Sequence, residues 1–286
     1  TCDKDGNFQA FINACRHRGS IVETKSRGKK SKFSCPIHAW TYSANGDLVA
    51  VPREEHFGEV DKACYSLVKL PAVEQYGMLW VHPDPEGEID VDELLGEKLA
   101  KELEDYQLGN CVFSAEDQYD HEMNWKLAND TFGEAYHFNV LHKDTAAQIF
   151  YGNVQMYDIF KRNHRLILCM KAIDEVRDLP KEDWDVMKVT MASYYLFPNI
   201  QILMTSFGPV IFRIYPRGSN ANDSYSKVLF YLNADIANLE DNAEMAAIAS
   251  YQQSFNGAVV RDEDYVVAAS SHRGMAAGHI DHVVFG

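Results

Sequence analysis

The chain has 286 residues, of which 46% are hydrophobic and 24% are charged. Aliphatic and aromatic residues occur throughout, so the composition excludes an intrinsically disordered chain. No apolar run approaches the roughly 18 residues of a membrane-spanning helix, and the first residues lack the pattern of a secretory signal. The formal net charge of −15 makes nucleic acids and anionic membrane surfaces poor candidates as partners.

The six cysteines are scattered, without the dense pattern of a disulfide-stapled secreted domain. We therefore expect free thiols and a reducing, cytoplasmic setting. The chain starts on Thr1 rather than Met and stops abruptly after VVFG, so we also expect both ends to be incomplete.

The first part of the chain predicts a small antiparallel β domain. Its strongest turn signal is Asn45-Gly46, which favours a tight β-hairpin. The segment 77–88 is typical of a closing strand that runs into a linker rich in Pro, Gly and acidic residues, so we predict two domains, 1–86 and 87–286. The earlier β-prone segments are 8–14, 32–37 and 40–51.

The second part combines predicted helices and strands. Leu95, Leu99 and Leu103 recur at four-residue spacing, which predicts an amphipathic helix over 91–106. Neither GxGxxG nor GxxxxGK[ST] occurs, so no dinucleotide or phosphate-loop site is indicated. Further helical segments are predicted at 124–142 and 239–271, and antiparallel strands at 188–198, 200–214 and 225–233.

One segment is basic in an otherwise acidic chain. Between residues 16 and 32 there is one acid, Glu23, among seven basic residues. The segment is either a solvated loop or a docking patch for an acidic protein partner. The basic residues are Arg16, Arg18, Lys25, Arg27, Lys29, Lys30 and Lys32.

Two short motifs predict a first metal centre. Cys15-Arg-His17 is followed, after 17 residues, by Cys35-Pro-Ile-His38, so each motif offers one thiolate and one imidazole. This suits a [2Fe–2S] centre in which one iron takes two Cys and the other takes two His. Zinc is the alternative, although zinc fingers usually pair Cys with Cys and His with His.

Glu134, His137 and His142 predict a second metal-binding group. Glu134 and His137 are three residues apart and share a helix face. The two histidines are five residues apart, about 140° around an ideal helix. If both bind one metal, the helix must be distorted or end near 140–142.

A carboxylate would complete this second group. Asp262, Glu263 and Asp264 lie at the start of a later helical stretch. Two histidines and one carboxylate are the ligands of non-haem Fe(II) oxygenases, which leave positions open for oxygen and substrate. Taken alone, the acids would indicate a helix N-terminus stabilised by its dipole.

Both groups, in this order and about 100 residues apart, resemble the catalytic α subunit of Rieske non-haem iron oxygenases, the aromatic ring-hydroxylating dioxygenase family. CRHRG and CPIHAWTY are similar to its Rieske motif, and NWKLANDTFGEAYHFNVLH is similar to its mononuclear-iron segment. YLFPNIQI and EDYVVAASSHRGM resemble a strand and the C-terminal helix of its catalytic domain. The resemblance implies an α+β fold, with a Rieske-type antiparallel β domain followed by a helix-grip (START-like) catalytic domain of antiparallel sheet and helices.

The resemblance implies a role for each matched residue of the first motif. Cys15 and Cys35 would bind one iron of the cluster, and His17 and His38 would bind the other. Ala39 stands where the family usually has Gly after the second histidine.

For the second group, the resemblance implies a mononuclear Fe(II) held by His137 and His142. Asp264 would be the third ligand, with Asp262 as the alternative. Glu134 would bridge to the cluster histidine of a neighbouring subunit, although Asp is commoner at this position. That bridge implies a homotrimer, with or without a small β subunit in an α3β3 assembly.

Further departures and absences concern the rest of the chain. Asn129 stands where ring dioxygenases usually have an acid, and Asp130 where they usually have Asn. We also expect family helices before residue 1 and after Gly286 to be missing.

The implied activity is O2-dependent hydroxylation of an aromatic substrate, with cis-dihydroxylation in aromatic hydrocarbon catabolism as the first expectation. Electrons would come from NAD(P)H through a reductase, with or without a separate ferredoxin. The alternative is a monooxygenase or oxidative demethylase of a non-arene substrate. Thr131, Phe138, Phe150 and Tyr157 are candidates for the pocket wall, and each could equally be plain core.

Two other classes of protein stay open on the sequence. One is an electron-transfer protein with a Rieske centre and a degenerate second domain. The other is a zinc-stabilised binding module in which His137 and His142 are incidental.

Overall fold

The computed structural model describes residues 1–3, 5–240 and 242–284. It divides into two compact units, Thr1–Glu93 and Leu94–Gly286. The domain boundary expected after residue 86 stays a prediction. Among the described residues, no helix has both the length and the apolar character needed to cross a membrane.

The N-terminal unit consists of short antiparallel strands. The predicted hairpin is confirmed, because β3 and β4 pair across a turn in which Gly46 has a φ of 84°. Strand β1 pairs with β5, β2 with β3, and β6 with β7. The strands are β1 (Ala10–Phe11), β2 (Lys32–Ser34), β3 (Thr41–Ser43), β4 (Leu48–Ala50), β5 (Lys69–Leu70), β6 (Ala72–Gln75) and β7 (Met78–Val81).

The C-terminal unit contains a seven-stranded antiparallel sheet. Its strand order is β8-β14-β13-β12-β11-β10-β9. Buried Phe212, Val228 and Phe230 lie on this sheet and pack in the core of the unit. The strands are β8 (Val112–His121), β9 (Phe150–Phe160), β10 (Asn163–Met170), β11 (Thr190–Leu196), β12 (Ile200–Thr205), β13 (Gly208–Arg217) and β14 (Asn220–Leu232).

One long helical segment packs against the sheet. The helices α8 and α9 follow one another through a π-helical stretch, Gly257–Asp264, without a break. Val260, Tyr265 and Ala268 of this segment are buried in the same core as the sheet residues. The helices are α1 (Val91–Leu95), α2 (Glu97–Asp105), α3 (Trp125–Asp130), α4 (Phe138–Leu141), α5 (Ile173–Val176), α6 (Val186–Val189), α7 (Ala234–Ala237), α8 (Asn242–Asn256) and α9 (Tyr265–Met275).

The α+β expectation is confirmed, but three predicted elements are each divided in two. The helix expected over 91–106 breaks at Gly96, whose φ of 76° lies outside the helical range. The helix expected over 124–142 becomes α3 and α4. The strand expected over 200–214 becomes β12 and β13, which are joined by a two-residue turn at 206–207.

Candidate metal centres

In the N-terminal unit, the two cysteines of the first motif are brought together in a buried core. Cys15 is 3% exposed and Cys35 is 4% exposed. The hydroxyl of the buried Tyr42 lies 3.3 Å from the Sγ of Cys15 and accepts a hydrogen bond from the backbone N–H of Arg16. Tyr42 therefore joins the turn that carries Cys15 and His17 to strand β3.

The two histidines of the first motif lie side by side. The ring centroids of His17 and His38 are 4.7 Å apart, and His17 stacks on the buried indole of Trp40 at 5.0 Å. His38 is exposed, and His17 is half-buried. The pair thus sits at the surface while the two thiols lie inside.

The chemistry of these four donors fits a [2Fe–2S] cluster. Burial raises the pKa of the Cys35 thiol, but backbone N–H groups of Ile37 and His38 outweigh it, so the pKa is lowered and the thiolate is favoured. Burial and the neighbouring His38 lower the pKa of His17, which favours the neutral imidazole that a metal needs. Paired thiols on the inside and paired imidazoles at the surface match the two irons of a Rieske centre.

In the C-terminal unit, α4 explains how two histidines five residues apart face one point. The helix has only four residues, and His137 and His142 flank its two ends. The Nε2 atoms of the two rings are 3.1 Å apart. The expectation that the helix ends near residues 140–142 is confirmed.

The π-helical stretch supplies the carboxylate. Asp264 is its last residue and is 8% exposed. Its Oδ1 lies 3.0 Å from the Nε2 of His142 and 3.3 Å from the Nε2 of His137. Asp262 instead pairs with Arg261 at the surface, so the structure places Asp264, and not Asp262, with the histidines.

The three ligand atoms fit one face of a metal ion. Two ligands each about 2.1 Å from a metal and at right angles to one another lie about 3.0 Å apart. The observed separations of 3.0 to 3.3 Å agree with this arrangement. Among the described residues, His137, His142 and Asp264 are the one group of three whose ligand atoms converge closely enough for a single ion.

A carboxylate also holds the outer nitrogen of each histidine. Glu134 Oε1 contacts the Nδ1 of His137, and Glu263 Oε2 lies 2.7 Å from the Nδ1 of His142. The hydroxyl of Thr145 donates to the same Oε2 of Glu263 at 2.6 Å. Such pairs keep the Nδ1 proton on the outside and direct the Nε2 lone pair at the metal.

The electrostatics of the group favour a cation. Burial lowers the pKa of His142, but its contacts with Asp264 and Glu263 outweigh burial and leave the pKa raised. The pKa of His137 is raised in the same way by Asp264 and Glu134. The carboxylates therefore attract positive charge at this point, which a bound metal also supplies.

The metal group lies in the wall of a small apolar cavity of about 90 Å³. Of the expected pocket residues, Thr131, Phe138 and Phe150 line it. Tyr157 does not, because it is 50% exposed and packs against His164 instead. The other lining residues outside the metal group are Phe132, Glu134, Ala146, Leu166, Leu168, Met191, Ser193, Leu203, Thr205, Phe255, Asn256, Val259 and Val260.

The sequence pattern does not indicate the contacts of Glu263 and Thr145. Glu263 was one of three adjacent acids, and nothing in their order shows which of them face His142. The π-helical stretch decides this, because it brings Glu263 to one ring nitrogen of His142 and Asp264 to the other.

Two family models match the chain in the order of its two units. Residues 1–74 match the Rieske [2Fe-2S] domain, and residues 108–286 match the ring hydroxylating alpha subunit (catalytic domain). The second match covers more than half of the chain.

Curated relatives include enzymes of different substrate classes. The chain is 30% identical over 147 residues to the anthranilate 1,2-dioxygenase large subunit of Acinetobacter baylyi. It is 33% identical over 140 residues to the glycine betaine monooxygenase oxygenase subunit of Chromohalobacter salexigens. Each match covers 49% of this chain and 31% of the relative, so the matched part spans about a third of the relatives' length.

Solved structures show the same fold at low identity. A quaternary ammonium Rieske monooxygenase superposes with a TM-score of 0.78 at 20% identity, over 96% of this chain and 70% of the other. Naphthalene 1,2-dioxygenase from Rhodococcus sp. gives a TM-score of 0.71 at 20% identity, over 96% and 70%. With both family models and this fold in agreement, the chain belongs to the Rieske-domain aromatic ring-hydroxylating oxygenase alpha subunit family.

Proposed function

We propose that this chain is the catalytic part of a Rieske oxygenase that uses O2 to hydroxylate a small apolar substrate. The observation that supports this most directly is the convergence of His137, His142 and Asp264 in the wall of an apolar cavity. Cys15, His17, Cys35 and His38 would hold the cluster, and the three converging residues would hold a mononuclear iron. When bound, the cluster supplies single electrons and the iron supplies oxygen activation.

The residues of the second site would prepare it for this chemistry. Glu134 and Glu263 retain the Nδ1 protons of His137 and His142, so both Nε2 atoms are free to bind metal. The ligand set occupies one face and leaves the cavity side for oxygen and substrate. Phe138 and Phe150 lie on the cavity wall, where their rings would exclude water from the reacting position.

Glu134 is the residue that we propose links subunits. Its side chain is 48% exposed although it contacts His137, so one part of the carboxylate is accessible from outside. Beside it, Tyr136 is 89% exposed and Val140 is 81% exposed, which leaves an apolar surface next to the metal group. A neighbouring subunit that covers this surface, in a homotrimer or an α3β3 assembly, would bring its cluster histidine to Glu134.

Electrons would reach the cluster from NAD(P)H through a reductase, with or without a ferredoxin, in the cytoplasm. The basic segment 16–32 supports an acidic electron donor. All seven basic residues of this segment are exposed, and the exposed His38 follows it closely in the chain. A donor protein that docks here would be steered by charge.

The cavity favours an aromatic substrate. Apart from the metal group and Glu134, which contacts His137, its described lining is made of apolar side chains with a few neutral polar ones. We therefore place cis-dihydroxylation of an arene first. The second candidate is monooxygenation or demethylation of a trimethylammonium compound, because phenylalanine rings such as Phe132, Phe138, Phe150 and Phe255 can hold a quaternary cation by cation–π attraction.

A competition between two substrates separates these candidates. The reconstituted protein, with an electron donor and O2, is given benzene and glycine betaine together, and the cis-diol and the demethylated amine are both quantified. We expect the diol and no demethylated amine. Demethylated amine alone would replace the arene with a quaternary ammonium substrate. Neither product, with reduced cluster and O2 uptake confirmed, would contradict both proposed substrate classes.

A further inference from the structure

A buried hydrogen-bond chain joins the strands β8 and β14 to Tyr265, the residue that follows Asp264. His121, Ser224, Ser226 and Tyr265 are all at most 7% exposed. Ser224 Oγ lies 2.7 Å from His121 Nδ1, Ser226 Oγ lies 3.2 Å from His121 Nε2, and Ser226 Oγ lies 2.7 Å from the hydroxyl of Tyr265. The hydrogen-bond chain therefore runs from the sheet to the first residue of α9.

The direction of every hydrogen bond in this hydrogen-bond chain follows from the bond at one end, between Ser224 and a backbone carbonyl. The Ser224 hydroxyl donates to the backbone carbonyl of Met123 at 2.6 Å, and a carbonyl can only accept. His121 Nδ1 must then donate to Ser224, which makes Nε2 of the neutral ring an acceptor. Ser226 donates to that Nε2, so the Tyr265 hydroxyl donates to Ser226.

The surroundings of His121 keep the ring neutral, as this pattern requires. Burial lowers the pKa of His121 to about 4. Of the charged groups nearby, Asp120 and Asp223 oppose this shift and Arg217 adds to it. With the imidazole neutral at pH 7, the Tyr265 hydroxyl has one acceptor and a single direction.

Tyr265 is placed where it can control Asp264. Asp264 ends the π-helical stretch and Tyr265 begins α9, with the backbone N–H of Tyr265 bonded to Val260 O, five residues back. A π-helical turn is a rare geometry that needs support from its surroundings. On one side, Asp264 contacts the histidines; on the other, the Tyr265 side chain is tied to the sheet through Ser226.

We propose that Tyr265, held by the hydrogen-bond chain through Ser226, His121 and Ser224, is a positioning residue that keeps the Asp264 carboxylate directed at the metal. This inference rests on the proposed function of the second metal group. Without the anchor, the exit of the π-helical stretch can relax and turn Asp264 away from the Nε2 atoms of the two histidines.

The chain offers a matched control for Tyr265. Tyr119 is a second buried tyrosine, 1% exposed, and its ring centroid lies 6.4 Å from that of Tyr265. Its hydroxyl has no hydrogen-bond partner among the described residues. Tyr119→Phe and Tyr265→Phe therefore remove the same atom from the same core, but only the second change cuts the chain of hydrogen bonds.

The test measures metal affinity and does not depend on turnover. Protein that retains its cluster is stripped of mononuclear metal, and Co(II) is titrated against a competing chromophoric chelator. We expect Tyr265→Phe to weaken Co(II) binding about 10-fold, and Tyr119→Phe to leave it unchanged. Ser226→Ala, which removes the acceptor and keeps the tyrosine, should reproduce the loss even if Tyr265→Phe folds poorly.

Two results would overturn the account in distinguishable ways. If Tyr265→Phe and Ser226→Ala lower the free energy of unfolding but bind Co(II) as tightly as the wild type, the hydrogen-bond chain has only a structural role and the inference is wrong. If the wild type itself binds Co(II) no better than His142→Ala does, the metal site fails and the proposed function fails with it.

Discussion

Two carboxylates hold the histidine pair of the second metal group, and they differ in exposure. Glu263 is 24% exposed and also accepts a hydrogen bond from Thr145, whereas Glu134 is 48% exposed and bonds on the inside to the ring of His137 and two backbone N–H groups. Glu263 is placed to orient the ring of His142, whereas the carboxylate of Glu134 is partly accessible from outside. Of these two carboxylates, Glu134 is therefore the one that the proposed link to another subunit would use.

Replacing Glu134 separates these two roles. Glu134→Gln keeps an acceptor for His137 Nδ1 but removes the negative charge, so we expect the metal content to stay near that of the wild type. Turnover should fall about 10-fold or more, as is typical when an outer carboxylate is lost. Glu116→Gln, on the exposed side of β8, is the control and should change neither quantity. Unchanged turnover, or a parallel loss of metal, would contradict the bridging role.

At the residue scale, much of the site could be predicted from the sequence, because the Cys-x-His and Cys-x2-His motifs are unusual in chemistry and spacing. His137 and His142 are a weak signal alone and were indicated by the family resemblance. The contacts of Glu263 and Thr145 could not be predicted, because they depend on how α4 and the π-helical stretch face one another. Tyr157, in contrast, was expected in the cavity wall and does not lie there. It is near the site in sequence, but β9 turns it towards His164 and solvent.

At the scale of elements, helix and strand types followed from hydrophobic pattern, whereas their limits depended on single glycines. Gly96 divides α1 from α2, and its position inside an otherwise regular leucine pattern gave no warning. Gly208 begins β13 with a φ of 145°. A Cβ at this position would lie 2.3 Å from the backbone O of Tyr231, so only glycine fits the close approach of β13 to β14.

This close approach predicts a large difference between two glycine substitutions. Gly208→Ala should lower the free energy of unfolding by about 2 kcal/mol or more, since both the backbone strain and the clash must be relieved. Gly218→Ala also has a positive φ, but a Cβ there meets nothing within 4 Å, so about 1 kcal/mol is expected. Urea unfolding of the two variants measures the difference. Equal losses would show that the contact with Tyr231 is not limiting.

At the scale of the whole molecule, charge is distributed unevenly between an acidic chain and one basic segment, 16–32. Lys30 of this segment pairs with Glu23, while Lys29 is exposed. A solvated loop and a docking patch predict different kinetics. If an acidic donor docks here, association depends on the charge of the segment and weakens with salt.

Charge reversal of the segment tests this. Lys29→Glu together with Lys30→Glu should slow reduction of the cluster by an acidic ferredoxin at low salt and flatten its salt dependence. Lys98→Glu with Lys181→Glu, two exposed lysines of the C-terminal unit, changes the net charge equally and should have little effect. Equal slowing by both pairs of substitutions would indicate a general charge effect. No slowing would indicate that the segment is a solvated loop without a docking role.

If one chain holds two separate metal sites, its iron content and its cluster spectrum must respond independently to loss of the second site. After anaerobic reconstitution with iron and sulfide, the wild type should contain about three irons per chain, and His142→Ala should contain about two, with the same rhombic EPR signal of the reduced cluster in both. His164→Gln, a histidine outside the cavity, should match the wild type. About two irons in the wild type, or loss of the cluster signal in His142→Ala, would contradict the account.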